Sequence, residues 1–386
     1  MTPPSLLALC SSAFCSKMST TRARRAQASA SSETPSQDPE EGPTWRRQKL
    51  STPVTLDEIK RRGGEITGRI PAFGSHRVFL DKFISFFGVN PEVVLQAWAL
   101  LARSFPDEDD IKKGGPERLL WALMLLKQSA AMTFLTKAAG CDEKTFRRWA
   151  WSYIKLLSYL QEQVVSTPVI LETWSPDLIV HSLQIVWERR KIKDSGNDCL
   201  VSIDGTDFKC QEHGPAFSSH KYAKKSALRY EVGICIKTGD IVWLMGPFAA
   251  GDWPDINIFR FALKGLLEEN ERVEADDGYV GEDPSHVKTP ASGYHDQDER
   301  LLRVRSIVRQ RHETANKRFK DWGILKKRWE YDIGLHGACM RAVVVLTQLS
   351  IESGKPLFQV QYDDNPNNLP PAPARAAETM TDDISL

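Results

Sequence analysis

The chain has 386 residues, of which 41% are hydrophobic and 26% charged, with a net charge of +1. That is the balance of a soluble globular protein long enough for two domains and tails, and the whole-chain charge singles out no class of partner. The longest uninterrupted apolar run, Leu119 to Leu126, is too short to span a bilayer, and seven cysteines without framework spacing exclude a disulfide scaffold and indicate reduced thiols in an intracellular compartment.

Residues 1–50 are of low complexity and read as a disordered leader. Its first 32 residues carry Lys17, Arg22, Arg24 and Arg25 and no acid. Such a composition is compatible with an organelle transit peptide, the alternative being a plain leader with translation starting at Met18.

Residues 51–165 read as a helical domain. Leu80, Phe83, Ile84 and Phe87 fall at i, i+3, i+4 and i+7, and Val94, Trp98 and Leu101 repeat the stripe. Asn90-Pro91 is a helix start, and Gly114-Gly115-Pro116 breaks the chain before the next helix. Phe134 to Ala139 predicts a short helix, Gly140 a turn, and Asp142 the cap of a helix bearing Lys144, Arg147 and Arg148. A short helix, a glycine turn and a basic-faced helix make a helix-turn-helix-like, DNA-binding unit, with plain packing as the alternative.

Residues 166–198 read as a helical connector, with a bridging helix from Pro176 to Lys191. Beyond it the period changes. Cys199 to Ile203 predicts a strand ending at Asp204, where Gly205 turns the backbone away. Tyr230, Val232, Ile234 and Ile236 alternate with less apolar residues up to the turn at Lys237 to Asp240, and Ile241 to Met245 returns from that hairpin. Asp255 caps a helix, Arg272 to Ala275 is a fourth strand, and Gln297 to Lys320 is a long charged helix. Three meandering strands, then a crossover helix to a parallel fourth, describe a ribonuclease-H-like α/β domain over 199–362, a mixed sheet flanked by helices. The tail 363–386 is rich in Pro, Asn and Ala and reads as disordered.

In that order the first and fourth strands are neighbours, so the fourth brings Asp276 beside Asp204. Two adjacent carboxylates repel unless a cation lies between them, and hard oxygen ligands suit Mg²⁺ or Mn²⁺. Glu313, on the final helix, is a candidate third ligand. It lies in a run from Arg300 to Arg328 with eleven Lys or Arg against two acids, Glu313 and Asp321.

Asp-Gly-Thr at 204–206, Asp-x-Gly-Tyr at 276–279 and Glu313 within Arg309-x3-Glu313-x6-Lys320 resemble the motifs of DDE superfamily transposases and endonucleases of the PIF/Harbinger and insertion-sequence kind. Ser306 stands where that family's signature has tyrosine. The resemblance covers roughly 199–350 and implies two-metal cleavage and transfer of DNA phosphodiester bonds, with two Mg²⁺ (or Mn²⁺) ions per site. It implies that Asp204 bridges both ions, while Asp276 and Glu313 each complete one coordination shell. Arg309, Lys317 and Lys320 would contact DNA phosphates. The partners so implied are double-stranded DNA, further copies of this chain to pair two DNA ends, and a separate DNA-binding protein. The compartment is the nucleus, with an organelle as the alternative.

Other readings stand beside these. Asp204 is a turn aspartate in a DG turn, Asp277 replaces Asp276, or Glu313 is a surface ion-pair partner of Arg309 and Lys317. A domesticated DNA-binding protein that no longer cuts, and a nuclease acting on RNA, fit the same residues. Asp207 on a continuing strand faces away from Asp204 and takes a secondary place.

Overall fold

The computed structural model describes residues 54–68, 76–161, 190, 199–289 and 299–362, all belonging to one compact unit. The leader 1–50, the Pro176 to Lys191 helix apart from Arg190, and the tail 363–386 lie outside the described residues.

The helix starts follow local polar chemistry. Thr55 accepts from the Glu58 amide at the start of α1 (Leu56–Thr67). After α2 (His76–Phe87), Asn90 accepts from the Val93 amide and Pro91 opens α3 (Pro91–Ser104), so an otherwise orphaned donor is satisfied. The short α4 (Asp109–Gly114) leads to α5 (Pro116–Gln128), in which Leu119 to Leu126 are all buried. In α2 the buried stripe is Phe79, Phe83 and Phe87, with Leu80 and Ile84 half-buried at its edge. Next come α6 (Met132–Ala139), closed by Gly140 in the left-handed conformation, and α7 (Glu143–Tyr159), capped by Asp142.

The chain then builds a mixed sheet: β1 (Cys199–Lys209), β2 (Ser218–Ser219), β3 (Lys225–Cys235), β4 (Ile241–Ala249), β5 (Arg272–Glu274) and β6 (Val287–Lys288). The main layer runs β4-β3-β1-β5-β6, and β2 pairs with the start of β3. β1, β3 and β4 pair antiparallel, whereas β5 lies parallel to β1 and β6 parallel to β5. The link from β4 to β5 is α8 (Asp255–Ile258), which widens into a π-helical turn at Phe259–Leu263 and closes as a 3-10 turn at Lys264–Leu266. After the sheet come α9 (Glu299–Lys320), α10 (Gly323–Lys326) and α11 (His336–Glu352).

Three details differ from the sequence reading. β1 does not end at Asp204: it continues to Lys209, because β3 is long enough to pair with it as far as Lys209↔Ala227. Pro254, not Asp255, holds the cap position of α8, and Asp255 is the first helical residue. β6 forms between β5 and the long charged helix, where the sequence reading has no strand.

α11 is buried on nearly every side. The stretch 333–352 has the length and apolarity of a membrane span, but most of it lies inside the fold. It packs on α3 and α7 on one side and on β4 and α9 on the other. One apolar core therefore runs from Phe83 and Trp121 in the helical layer through Leu346 to Tyr230, Val232 and Ile234 on the sheet. A smaller core on the opposite sheet face joins Val201, Ile203 and Trp243 to Phe259, Leu263 and Tyr279. Because Leu346 belongs to the shared core, Leu346→Ala should lower stability by about 2–5 kcal/mol. In urea melts, far-UV circular dichroism and tryptophan fluorescence should shift together as a single transition; separate transitions would show that the two layers unfold independently.

Candidate functional site

β1 and β5 align Ser202 with Glu274. Two residues further on, Asp204 and Asp276 follow on the same sheet side, since strand side chains alternate with period 2. α9 crosses this side. His312 Nε2 is 2.8 Å from Ser202 Oγ, and Asn316 Nδ2 donates to Asp204 Oδ2 at 2.9 Å. These contacts lie one turn apart on α9 and set Glu313 between them. Asp204, Asp276 and Glu313 all line one cavity of about 320 Å³, together with Glu274, Arg309 and His312. Asp277 is not among the lining residues, and Asp276 accepts from the Gly278 amide at 2.8 Å.

The electrostatics of this cavity are unfavourable as they stand. Burial, and then the charges of Asp276 and Asp255, push the Asp204 carboxyl up to about 7; Glu313 adds to the shift and Lys221 opposes it. Glu274, fully buried, is likewise pushed up to about 7 by burial, which outweighs the nearby cations. Arg305 Nε lies 3.7 Å and Arg309 Nη1 3.8 Å from its carboxylate, and Tyr362 donates to it at 3.2 Å. Arg309, expected at a DNA phosphate, is thus turned toward Glu274 in the wall of the cavity. Among the described residues Glu313 makes no ion pair, so the Arg309–Glu313–Lys317 surface cluster does not form. His312 is buried, and desolvation pushes its imidazole down to about 4, which keeps it neutral. Among the described residues, no three His, Cys, Asp or Glu side chains stand together in a ready-made metal-ligating group.

A second cavity, of about 420 Å³, shares Glu313 and Asn316 with this region and is lined by Lys209, Lys317, Lys320 and Lys326. None of these four lysines is ion-paired among the described residues. The Lys320 ammonium lies 5.6 Å from the Phe208 ring centre, and burial lowers its pKa. Other members of the basic run are engaged. Arg311 is buried and donates to the Ile236 carbonyl at 2.6 Å, and Arg318 donates to the carbonyls of Lys355 and Pro356.

On α7, Lys144, Arg147 and Arg148 are exposed, while Phe146, Ala150 and Tyr153 face the core. Arg147 pairs with Glu143 at 2.7 Å, and Arg148 reaches within 3.7 Å of Asp110. Asp207 is buried away from the carboxylate cavity and held by Arg229 at 2.8 and 3.0 Å, with Ser219 donating at 2.5 Å.

Glu274, His312, Asn316 and Asp255 escape a reading of the sequence. A period-2 signal does mark Glu274, two residues before Asp276, and Asn316 lies three residues from Glu313, but neither spacing names a partner. No protein-family model, no curated protein and no solved structure matches this chain.

The Asp204 shift has a consequence for stability. Its carboxyl titrates near 7 in the folded chain against 3.8 when unperturbed, so the native state binds more protons between those values and stability falls as pH rises through that window. Asp204→Asn removes the buried charge and can still accept from Asn316. In chelator-treated buffer it should unfold at a higher temperature than wild type at pH 8, by the equivalent of about 1–3 kcal/mol, and with little difference at pH 4. Equal melting temperatures at pH 8 would show that Asp204 is not electrostatically strained.

Proposed function

We propose that this chain is a ribonuclease-H-like, metal-dependent DNA endonuclease or transposase of the DDE kind. The observation that carries the reading is the meeting of Asp204, Asp276 and Glu313 in one cavity, with a cavity of unpaired lysines adjoining it through Glu313. The strand order β4-β3-β1-β5-β6, antiparallel through β1 and parallel beyond, supports the fold assignment.

Asp204, Asp276 and Glu313 would hold Mg²⁺ or Mn²⁺, two ions per site. The donor set fits, because hard carboxylate oxygens are what these ions prefer, and a cation would relieve the like-charge strain on Asp204. Bound ions would supply Lewis acidity at the phosphoryl group and a nucleophile at neutral pH. The chain itself does the rest. Asn316 orients Asp204, neutral His312 ties α9 to β1, and Glu274 keeps Arg305 and Arg309 turned into the wall. Lys209, Lys317 and Lys320 bind backbone phosphates beside the scissile one, and Lys144, Arg147 and Arg148 on α7 extend the contact to duplex DNA.

The lack of a ready-made ligand group among the described residues favours a second reading, a DNA-binding protein of this fold that no longer cuts. Incubation with supercoiled plasmid and Mg²⁺ separates the two. Wild type should nick the plasmid, chelation should abolish nicking, and Asp204→Ala should reduce it at least about a hundredfold while DNA binding persists. Wild type that binds DNA without metal-dependent nicking supports the second reading and removes the first.

The lysine cavity yields a separate expectation. Replacing Lys317 and Lys320 by Ala should weaken DNA binding and flatten the log K against log salt slope by about 0.9 for each phosphate that is no longer neutralised, as read by fluorescence anisotropy. An unchanged slope would place the DNA elsewhere.

A further inference from the structure

Beneath the carboxylate cavity lies a buried polar cluster that takes no part in the chemistry above. Glu231, on β3 opposite Gly205, is fully buried. Tyr279, from the turn that follows Asp276, donates to Glu231 Oε2. The Asp255 carboxyl is the acidic neighbour of Glu231, and Glu231 Oε1 and Asp255 Oδ1 are both buried without a hydrogen-bond partner among the described residues. Burial and the charge of Asp255 raise Glu231 well above the usual carboxylate range. Arg229, held by Asp207, reaches Asp255 Oδ1 at 3.1 Å and so holds the Asp255 carboxylate as an ion pair.

The position of Asp255 explains one glycine and adjoins a second. A Cβ at residue 205 would collide with the Asp255 carboxylate. At residue 278 a Cβ would sit 2.9 Å from Asp276 Oδ1 and 3.4 Å from Asp255 Oδ2. The glycine of Asp-Gly-Thr therefore leaves room for the Asp255 carboxylate, whose other oxygen is in ordinary contact with the space beside the glycine of Asp-Asp-Gly. Gly205 lies inside β1, so it serves close approach and not the turn that its place after Asp204 suggests.

We propose that Asp255, held by Arg229 and packed against Gly205, is a positioning residue that sets the spacing between the backbone carrying Asp204 and the backbone carrying Asp276. It acts through shape and hydrogen bonding and not as a metal ligand. Its consequence for metal binding rests on the endonuclease reading; its mechanical part does not.

Two substitutions of opposite kind separate size from charge. Asp255→Asn keeps the size, can accept from Arg229 and can donate to Glu231. Asp255→Glu keeps the charge but is one methylene too long for the space beside Gly205. Hydrogen exchange of the full chain without metal reads the mechanical part. Asp255→Glu should raise exchange at least about fivefold in both the 201–209 and 273–280 segments, whereas Asp255→Asn should stay within about twofold of wild type. Calorimetric Mn²⁺ titration reads the consequence: Asp255→Glu should bind at least about tenfold more weakly, and Asp255→Asn should recover most of the wild-type affinity. The proposal is overturned if Asp255→Glu leaves both segments protected, or loosens one alone. It is equally overturned if Asp255→Asn loses Mn²⁺ affinity while Asp255→Glu keeps it, since Asp255 would then act by its charge. Wild type that fails to bind Mn²⁺ sinks the endonuclease reading, and the exchange result then decides the positioning role by itself.

Discussion

The parallel pairing of β1 with β5 is the constraint on which the candidate site depends. Its register, Ser202 beside Glu274, carries Asp204 and Asp276 to the same end and the same side of the sheet. An antiparallel partner would reach this point from the opposite end, and a slip of one residue would turn Asp276 to the other face. Parallel pairing also requires a crossover. The connection from β4 through α8 and its π-helical turn supplies it, and the first residue of α8 is Asp255, the carboxylate packed against Gly205 and adjoining Gly278. The element that makes the register possible is thus also the element that braces its result.

α9 completes the arrangement by sorting charge along one helix. Its first half turns Arg305 and Arg309 inward to Glu274, its middle presents His312, Glu313 and Asn316 to β1, and its last turns present Lys317 and Lys320 to the second cavity. Buried ion pairs gain little net stability, because desolvation offsets most of the attraction. The value of the Arg305 and Arg309 contacts is specificity: a fully buried Glu274 without cations nearby would add a further repulsion to Asp204 and Asp276. Lys317 and Lys320 are different, since no carboxylate neutralises them within the described residues. One helix therefore separates cations engaged in the fold from cations that no carboxylate neutralises among the described residues.

These two kinds of cation look alike in the sequence, which marks the limit of what it discloses. Strand alternation, the helix caps at Asn90 and Asp142, the hairpin at Lys237 to Asp240 and the order of the four longer strands are local signals, and all are legible, whereas the two-residue β2 and β6 are not. The three carboxylates are legible as a set because each sits in a short motif on a recognisable element. What is not legible depends on contacts between distant segments. β1 looks finished at Asp-Gly, because nothing local reveals that β3 will pair with it as far as Lys209. Arg309 looks like a phosphate ligand, because its spacing from Glu313 says which helix face it shares but not that Glu274 lies opposite. Asp255 looks like a helix cap, because its actual neighbours are 50 residues before it and 23 after, at Gly205 and Gly278.

A site built in this way has to be carried by the rest of the molecule. Asp204 and Glu274 are both held in surroundings that raise their pKa values to about 7, and burial and the neighbouring Asp255 raise Glu231 as well. Each of these features opposes folding when no ligand compensates it. The compensating stability is not local: β5 has three residues and β6 two, too few to hold four acids in place. It comes from the apolar core that runs through α11 and joins the helical layer to β3 and β4. That coupling gives the helical layer a second role besides any contact with nucleic acid. By packing against the same helix as the sheet, it stabilises the antiparallel half rigidly enough for the short parallel half to carry the charge. Strain at the acidic edge and an unusually well-buried central helix are, on this view, two sides of one balance.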